Sequence, residues 1–438
     1  MPQPSDDPRD PLNWPTWRKE ACFWTFVFAA SLANAISPLA SVAYVQLAKE
    51  FHVSVDEVAS CFSANFIGDA IFVLLQSPLA IKYGHRIVYL LATFLMFISC
   101  VWSALSTDLV SISASRVFQG FGGAPLQSLV AITIGQLFFV HERGTRSCIW
   151  GLFQVAGTVL GPLVNGYVIQ NLSLRLGFWF VSIACGVCFI GVVLFVPEWH
   201  KIYLGFFWQI SQTWFALLSY LMPAVFLGLV SLCSSTIFTV TYRFNTAQIG
   251  LTHLGGLIGS VVGVAVTGPL GDWCIVWISQ RNRGVYEPEF RLILMISLLV
   301  GALGYVGWAV GNEHHMPWVG AVACIAMLYF GTLVSGAALF PYLIDVHGSN
   351  SLHIISLMDF AKNVLIYGSA FFANGIVLSA GVKLSLLVYG ACQAVCWLTC
   401  VPMYVYGKRA RSFIARHPRL FRGDSSHSGV VSETDLKS

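Results

Sequence analysis

Long apolar runs separated by short polar connections repeat along almost the whole chain. A helix needs roughly 20 apolar residues to cross about 30 Å of hydrocarbon, and many of the runs reach that length. The pattern predicts transmembrane helices over residues 21–44, 58–80, 87–106, 109–137, 147–170, 176–196, 215–241, 249–271, 292–311, 317–341, 354–380 and 384–406. The primary expectation is therefore a chain of twelve membrane spans.

The two groups of six predicted spans carry related sequences at equivalent positions. Ser77-Pro78-Leu79 lies at the end of the second span, and Gly268-Pro269-Leu270 lies at the end of the eighth. Internal repeats of this kind are typical of secondary transporters, whose substrate site lies near the middle of the membrane between the repeats. We therefore expect an all-α membrane protein with twelve transmembrane helices in two pseudo-symmetric six-helix bundles.

The polar segments divide the chain around these two bundles. The expected parts are an N-terminal tail over residues 1–20, bundles over 21–196 and 215–406, a linker over 197–214 and a basic C-terminal tail over 407–438. The linker is short, because the chain becomes apolar again soon after Lys201. A short linker restricts how far one bundle can rock against the other.

Composition excludes the main alternatives to a membrane protein. Of 438 residues, 56% are hydrophobic and only 10% are charged, and the mean hydropathy is +0.73. A soluble domain has about 25% charged residues, and a disordered chain is polar and charge-rich. The net charge of +4 is too small to indicate nucleic acid as a partner. The twelve cysteines lie mostly in apolar runs, which favours helix packing over disulfides or a metal site.

The basic residues predict the orientation of the chain in the membrane. Eighteen Lys and Arg residues fall on the side of the termini, four fall on the opposite side, and two lie inside spans. Loops rich in Lys and Arg stay in the cytoplasm. Both termini are therefore expected to be cytoplasmic.

Short motifs occur in a fixed order along the chain. They are Asp10-Pro11-Leu12-Asn13-Trp14, Arg116-x-x-Gln119-Gly120-x-Gly122, Gly157-x-x-x-Gly161-Pro162-x-x-x-Gly166, Gly268-Pro269-Leu270-x-Asp272-Trp273 and Gly407-Lys408-Arg409-x-Arg411. Because its motifs occur in this order and at this spacing, the chain resembles the major facilitator superfamily (MFS), specifically its fungal twelve-span drug:proton antiporter branch. The resemblance implies the MFS fold and a monomeric transporter of the plasma membrane. It also implies that a proton gradient supplies the energy, without a cofactor or metal, and that the partners are the lipid bilayer, protons and a small-molecule substrate.

Four charged residues fall inside predicted spans, where each costs at least ~2.5 kcal/mol at the centre of a helix. They are Asp69, Arg116, Asp359 and Lys362. Asp359 and Lys362 share a helix face, and a buried carboxylate beside a cation suits a proton relay. We expect all four to take part in proton coupling, a role that the resemblance implies for Arg116. A structural ion pair is the alternative for Asp359 and Lys362.

Two further groups of residues are candidates for conformational roles. The antiporter motif of the fifth span comprises Gly157, Gly161, Pro162 and Gly166, where Pro162 can bend the helix and the glycines allow close helix approach. The candidate cytoplasmic gate comprises Lys82, Gly84, Arg86, Glu142, Arg143 and Asp272. The alternatives are plain helix packing for the first group and solvated basic loops for the second.

The resemblance also implies which spans line the substrate cavity. Polar and aromatic residues on those spans are Asn34, Gln119, Gln127, Phe238, Tyr242 and Asn363. An aromatic, weakly polar cavity suits amphipathic and cationic compounds through stacking and cation–π contacts.

Three functions remain open from the sequence, and none is enzymatic, because no catalytic or nucleotide-binding motif is present. The primary expectation is proton-coupled export of drugs, toxins or secondary metabolites by alternating access. The second is import of polyamines or a related cationic nutrient. The third is a non-transporting or truncated paralogue, which the short linker suggests, as do Leu126 and Gln127 where the family commonly has Ala-Glu.

Overall fold

The computed structural model describes residues 13–138, 140–197, 217–282, 287–347 and 351–416. Most of the predicted linker and of both tails lies outside these residues. The described part of the first half forms a 3-10 turn at Ser41–Ala43 and the helices α1 Thr16–Ile36, α2 Tyr44–Phe51, α3 Val55–Tyr83, α4 His85–Leu105, α5 Leu109–Leu137, α6 Val140–Asn171 and α7 Leu174–Phe195.

The described part of the second half begins with a π-helical turn at Leu217–Leu221 and contains a 3-10 segment at Pro288–Ile296. Its α-helices are α8 Met222–Tyr242, α9 Thr246–Thr252, α10 Leu254–Arg281, α11 Ser297–Glu313, α12 Trp318–His347, α13 Ser351–Ala370, α14 Ala373–Ala380, α15 Val382–Leu398 and α16 Cys400–Arg416.

The helical segments confirm the predicted class of fold. Within the described residues, ten segments are long and apolar enough to cross a membrane, and α13 with α14 forms an eleventh if that bent pair is one span. The remaining predicted span, 109–137, coincides with the 29-residue α5. α5 carries the polar residues Arg116, Gln119 and Gln127. It packs against α1, α3 and α4.

The first and eleventh spans are each interrupted: the first remains one segment over Thr16–Phe51, whereas the eleventh is bent. The first was expected over 21–44, but α1 ends at Ile36, and a 3-10 turn leads into the short α2. The eleventh was expected over 354–380, but α13 and α14 meet at an angle of 52°. No proline marks this second break in the sequence. Directly after this break, the main-chain N–H groups of Asn374 and Gly375 donate to the carboxylate of Asp56 in the first half.

The second and eighth spans begin with the same local structure. A residue in the left-handed region ends the preceding helix, His52 at φ 56° and Arg243 at φ 55°. Two residues later a capping side chain exchanges hydrogen bonds with the third residue of the new helix. These pairs are Ser54 with Glu57 (3.2 and 3.4 Å) and Asn245 with Gln248 (2.9 and 3.0 Å). The repeated cap supports the expected pseudo-symmetry, because the two spans are six apart.

Three apolar clusters form the core. One lies within the first half around Phe26, Tyr89 and Met96, and another within the second half around Met295 and Tyr342. The third cluster joins both halves and lies at the helix ends that are farthest from the chain termini. We call these ends the far side, and we call the helix ends near the chain termini the termini side. Its largest members include Tyr44, Phe62, Phe238 and Trp308. The two halves therefore share a buried apolar contact on the far side.

Candidate functional site

A group of charged side chains lies where α3 of the first half packs against α13 of the second. Asp69, near the middle of α3, is only 3% exposed. It interacts electrostatically with Lys362 and Asp359 of α13. The structure thus brings together three of the four charges that the sequence placed at membrane depth, and it does so across the boundary between the halves. We call Asp69, Asp359 and Lys362 the Asp69 group.

Lys362 and Asp359 form an ion pair within α13. The Nζ atom of Lys362 donates to Oδ1 of Asp359 at 2.8 Å, and the two side chains are about one-fifth exposed (19% and 21%). Tyr220, in the π-helical turn before α8, also interacts electrostatically with Lys362. The sequence analysis missed Tyr220, because a tyrosine in an apolar run carries no distinguishing signal.

One oxygen of Asp69 is available for a further interaction. Its Oδ2 atom accepts a hydrogen bond from Nε2 of Gln127 at 3.1 Å. Its Oδ1 atom is buried and has no hydrogen-bond partner among the described residues. A Cβ atom at Gly123 would lie 3.1 Å from this oxygen, so the glycine leaves space beside it. A buried acceptor of this kind can take up a proton or a cationic group.

Arg116 has a different environment from Asp69. It is fully buried, and its five N–H groups all donate to uncharged oxygens. The acceptors are the main-chain carbonyls of Ile36 (2.9 Å), Ser37 (2.6 Å) and Phe62 (2.9 Å) and the side chains of Gln119 (2.7 Å) and Asn65 (3.3 Å). Arg116 therefore connects α5 to the end of α1 and to α3.

The residues predicted for the substrate cavity lie in several places. Gln127 donates a hydrogen bond to Asp69, and Asn363 is buried and directly follows Lys362 in the sequence. Gln119 is buried within the first half and donates to Oγ of Ser103 at 2.8 Å. Three others lie elsewhere: Asn34 donates to the carbonyl of Ala30 in α1, Phe238 is buried in the far-side cluster against Trp308, and Tyr242 donates to the carbonyl of Met316.

The glycines of the fifth-span motif lie at helix contacts. A Cβ atom at Gly157 would overlap the main-chain carbonyl of Ser31, and one at Gly161 that of Ala35, both in α1. Gly166 lies nearest the main chain of Thr246, at the start of α9 in the other half. Pro162 lies within the continuous helix α6. The motif therefore allows α6 to approach both α1 and the second half.

The predicted gate residues are only partly described. The side chains of Glu142, Arg143 and Asp272 lie outside the described residues. Gly84, at φ 88°, joins α3 to α4, and Lys82 is exposed beside Tyr83. Arg86 donates through Nη2 to the carbonyl of Val193 at 3.2 Å, which is a contact inside the first half.

An ion pair between Arg146 and Glu20, on the termini side, was not predicted from the sequence. Arg146 of α6 forms two hydrogen bonds with the carboxylate of Glu20 of α1, one of them 2.9 Å from Nη1 to Oε2. The guanidinium also lies over the rings of Phe23 (5.2 Å) and Phe138 (4.9 Å). This pair connects two helices of the first half.

Between the described residues of the two halves, the hydrogen bonds lie on the far side. The residues involved in the first half are Val45, Gln46, Asp56 and Gln170, and those in the second are Ser235, Thr246, Ala247, Asn374 and Gly375. Together with the apolar cluster around Tyr44 and Trp308, they close the far side. The conformation is therefore sealed opposite the termini.

Comparison with known families identifies a single family over most of the chain. The model of the Major Facilitator Superfamily matches residues 22–364. An uncharacterised MFS-type transporter of Schizosaccharomyces pombe is 24% identical, with 95% of this chain and 88% of the relative covered. The efflux pump radE of Floropilus chiversii is 26% identical, with 94% of this chain and 84% of the pump covered.

The fold is also similar to a solved structure. A D-xylose–proton symporter superposes with a TM-score of 0.68, covering 87% of this chain and 97% of that chain. The sequence identity is 14%, so the likeness concerns the fold alone.

Proposed function

Because the chain belongs to the Major Facilitator Superfamily, it is a membrane transporter and not an enzyme, and we propose that it exports amphipathic small molecules in exchange for protons. The expected cargo comprises drugs, toxins or secondary metabolites, and the expected location is the plasma membrane. The observation that carries the proposal is the Asp69 group between α3 and α13.

The charges of this group favour a cationic cargo. When both carboxyl groups are ionised, Asp69 and Asp359 contribute two negative charges against the one positive charge of Lys362. Oδ1 of Asp69 has no hydrogen-bond partner among the described residues, so either a proton or a cationic group of the cargo can occupy it. Because these two ligands exclude each other, release of one favours binding of the other, and inward flow of protons drives cargo outward.

The conformation agrees with loading from the inside. The excess of basic residues supports placing the termini side in the cytoplasm. The far side, which is closed, then faces the exterior. On this proposal cargo enters from the cytoplasm, and separation of the halves on the far side is the step that releases it.

The test uses inside-out vesicles that contain the full-length protein. A panel of fluorescent amphipathic cations is added outside vesicles with an acidic interior, and uptake is recorded before and after an ionophore collapses the pH gradient. We expect gradient-dependent uptake. The Asp69→Asn variant should lose about tenfold or more of it, equivalent to ~1.4 kcal/mol. The control is Asp108→Asn, because Asp108 is exposed and its side chain does not cap α5.

Two outcomes would contradict the proposal. Uptake that survives collapse of the gradient would exclude proton coupling. Accumulation of labelled polyamine by intact cells that express the protein would favour the second candidate, an importer of cationic nutrients. The net negative charge of the Asp69 group suits that candidate as well.

A further inference from the structure

Asp56 connects the two halves on the far side through both oxygens of its carboxylate. Oδ1 accepts a hydrogen bond from the main-chain N–H of Asn374, and Oδ2 accepts one from that of Gly375, each at 2.9 Å. Asp56 lies in the first turn of α3, whereas Asn374 and Gly375 lie in the first turn of α14. The contact therefore crosses from the second span to the broken eleventh span.

α14 depends on this carboxylate for its N-terminal cap. The first N–H groups of a helix have no partner within the helix, and the capping residue Phe372 supplies no side-chain hydrogen bond. A carboxylate at this end makes charge-assisted hydrogen bonds and is favoured by the helix dipole. Asp56, which belongs to the first half, therefore caps a helix of the second half.

The surrounding residues fit this contact closely. A Cβ atom at Gly375 would lie 2.8 Å from Oδ2 of Asp56. Gly375 is not among the residues with positive φ, so space for the carboxylate, and not backbone conformation, is the reason for a glycine here. Asn374 is fully buried, and its Oδ1 atom accepts a hydrogen bond from Oγ1 of Thr236 in α8 at 2.7 Å. The start of α14 is thus attached both to α3 and to α8.

We infer that Asp56 is the positioning residue that keeps the transport pathway closed on the far side, and that it must leave α14 once in every transport cycle. The inference rests on the proposed alternating access, in which opening the far side separates α3 from α14. α3 also carries Asp69, which faces Lys362 of α13. The second and eleventh spans are therefore joined at two depths, at the Asp69 group and at Asp56.

Two readouts in the full-length protein, held in lipid nanodiscs, test this inference. The first is hydrogen–deuterium exchange of a peptide that covers residues 371–380. The second is labelling of Cys233 by a maleimide, located by mass spectrometry. Cys233 lies in α8, is fully buried in the far-side cluster and interacts electrostatically with Asp56. Its thiol becomes accessible when the far side opens.

The variants separate loss of the Asp56 contact from a purely local effect on α14, because in Gly375→Ala the two effects change the exchange rate in opposite directions. Asp56→Ala should raise both rates by about tenfold or more, equivalent to ~1.4 kcal/mol, and Asp56→Asn should raise them less. Gly375→Ala should also raise them, because the new methyl group displaces the carboxylate. Alanine otherwise favours a helix over glycine, so a purely local effect would slow exchange in α14. The double variant should add little, since both changes break one contact.

Glu57→Gln is the matched control, because Glu57 follows Asp56 directly and its hydrogen-bond partners among the described residues, Ser54 and Ser60, belong to its own half. It should keep both rates of the unmodified protein. A folded Asp56→Ala protein with unchanged rates would overturn the inference, as would slower exchange in Gly375→Ala. If Asp56→Ala does not fold, Asp56→Asn and Gly375→Ala decide. Neither readout needs a cargo, so failure of the export test alone would overturn only the proposed function.

Discussion

Nη1 of Arg116 donates a hydrogen bond to the main-chain carbonyl of Ile36 at 2.9 Å. Ile36 is the last residue of α1, where carbonyl groups lack partners within the helix and form the negative end of its dipole. The contact helps to explain how Arg116, which has no carboxylate partner among the described residues, is stabilised in an apolar bundle. The contact lies where α1 ends and the 3-10 turn of the first span begins.

The main effect of replacing Arg116 should be a loss of stability of the folded protein, and not a loss of proton coupling. Arg116→Ala removes a charged donor from the carbonyls of Ile36, Ser37 and Phe62, and a hydrogen bond to a charged group contributes about 1.5–3 kcal/mol. Arg116→Lys should also destabilise the protein, because one ammonium group cannot replace five N–H donors. Thermal unfolding of the purified protein, followed by tryptophan fluorescence, measures the effect.

Arg175→Ala serves as the comparison for Arg116, because Arg175 is exposed at the start of α7. We expect its melting temperature to equal that of the unmodified protein. If Arg116→Ala melted at the same temperature but lost gradient-dependent transport, the arginine would belong to the coupling machinery instead.

The Asp359–Lys362 pair should tolerate loss of both charges better than loss of one. Lys362→Gln leaves Asp359 and Asp69 without a cation between them, whereas Asp359→Asn together with Lys362→Gln removes the unpaired carboxylate of α13. The pair is about one-fifth exposed, so we expect the single change to cost about 2 kcal/mol, between the values for surface and buried pairs. Melting temperatures of the three variants give the comparison. A double variant less stable than Lys362→Gln would disprove this account.

The fifth-span glycines should be intolerant of even one added methyl group. Gly157→Ala and Gly161→Ala place a Cβ atom against main-chain carbonyls of α1, which cannot rotate away as a side chain can. Both variants should therefore yield less folded protein in fluorescence-detected gel filtration, although alanine favours a helix over glycine by about 1 kcal/mol.

Gly151→Ala is the matched control on the same helix. A Cβ atom at Gly151 meets nothing within 4 Å, so this change should be neutral or slightly stabilising. If all three variants lost folded protein equally, the cause would be a change within α6 and not the close approach of α6 to α1.

The sequence identified some functional candidates and could not identify others. Asp69, Arg116, Asp359 and Lys362 were recognisable because a charge inside an apolar run is costly and therefore conspicuous. Asp56 was not, because an acidic residue in the first turn of a helix is an ordinary feature there. Its contact with Gly375 joins residues 319 positions apart, and no local pattern encodes it.

The sequence by itself determined the membrane class, the positions of the spans and the repeat of two halves, because apolar length and motif order are properties of local segments. Only the tertiary structure decided that Asp69 faces Lys362, that Arg116 binds carbonyls at the end of α1, and that the eleventh span bends by 52°. It also decided that the far side is closed. These features depend on which helices pack together, because hydrogen bonds and charge interactions act over distances that only packing can set.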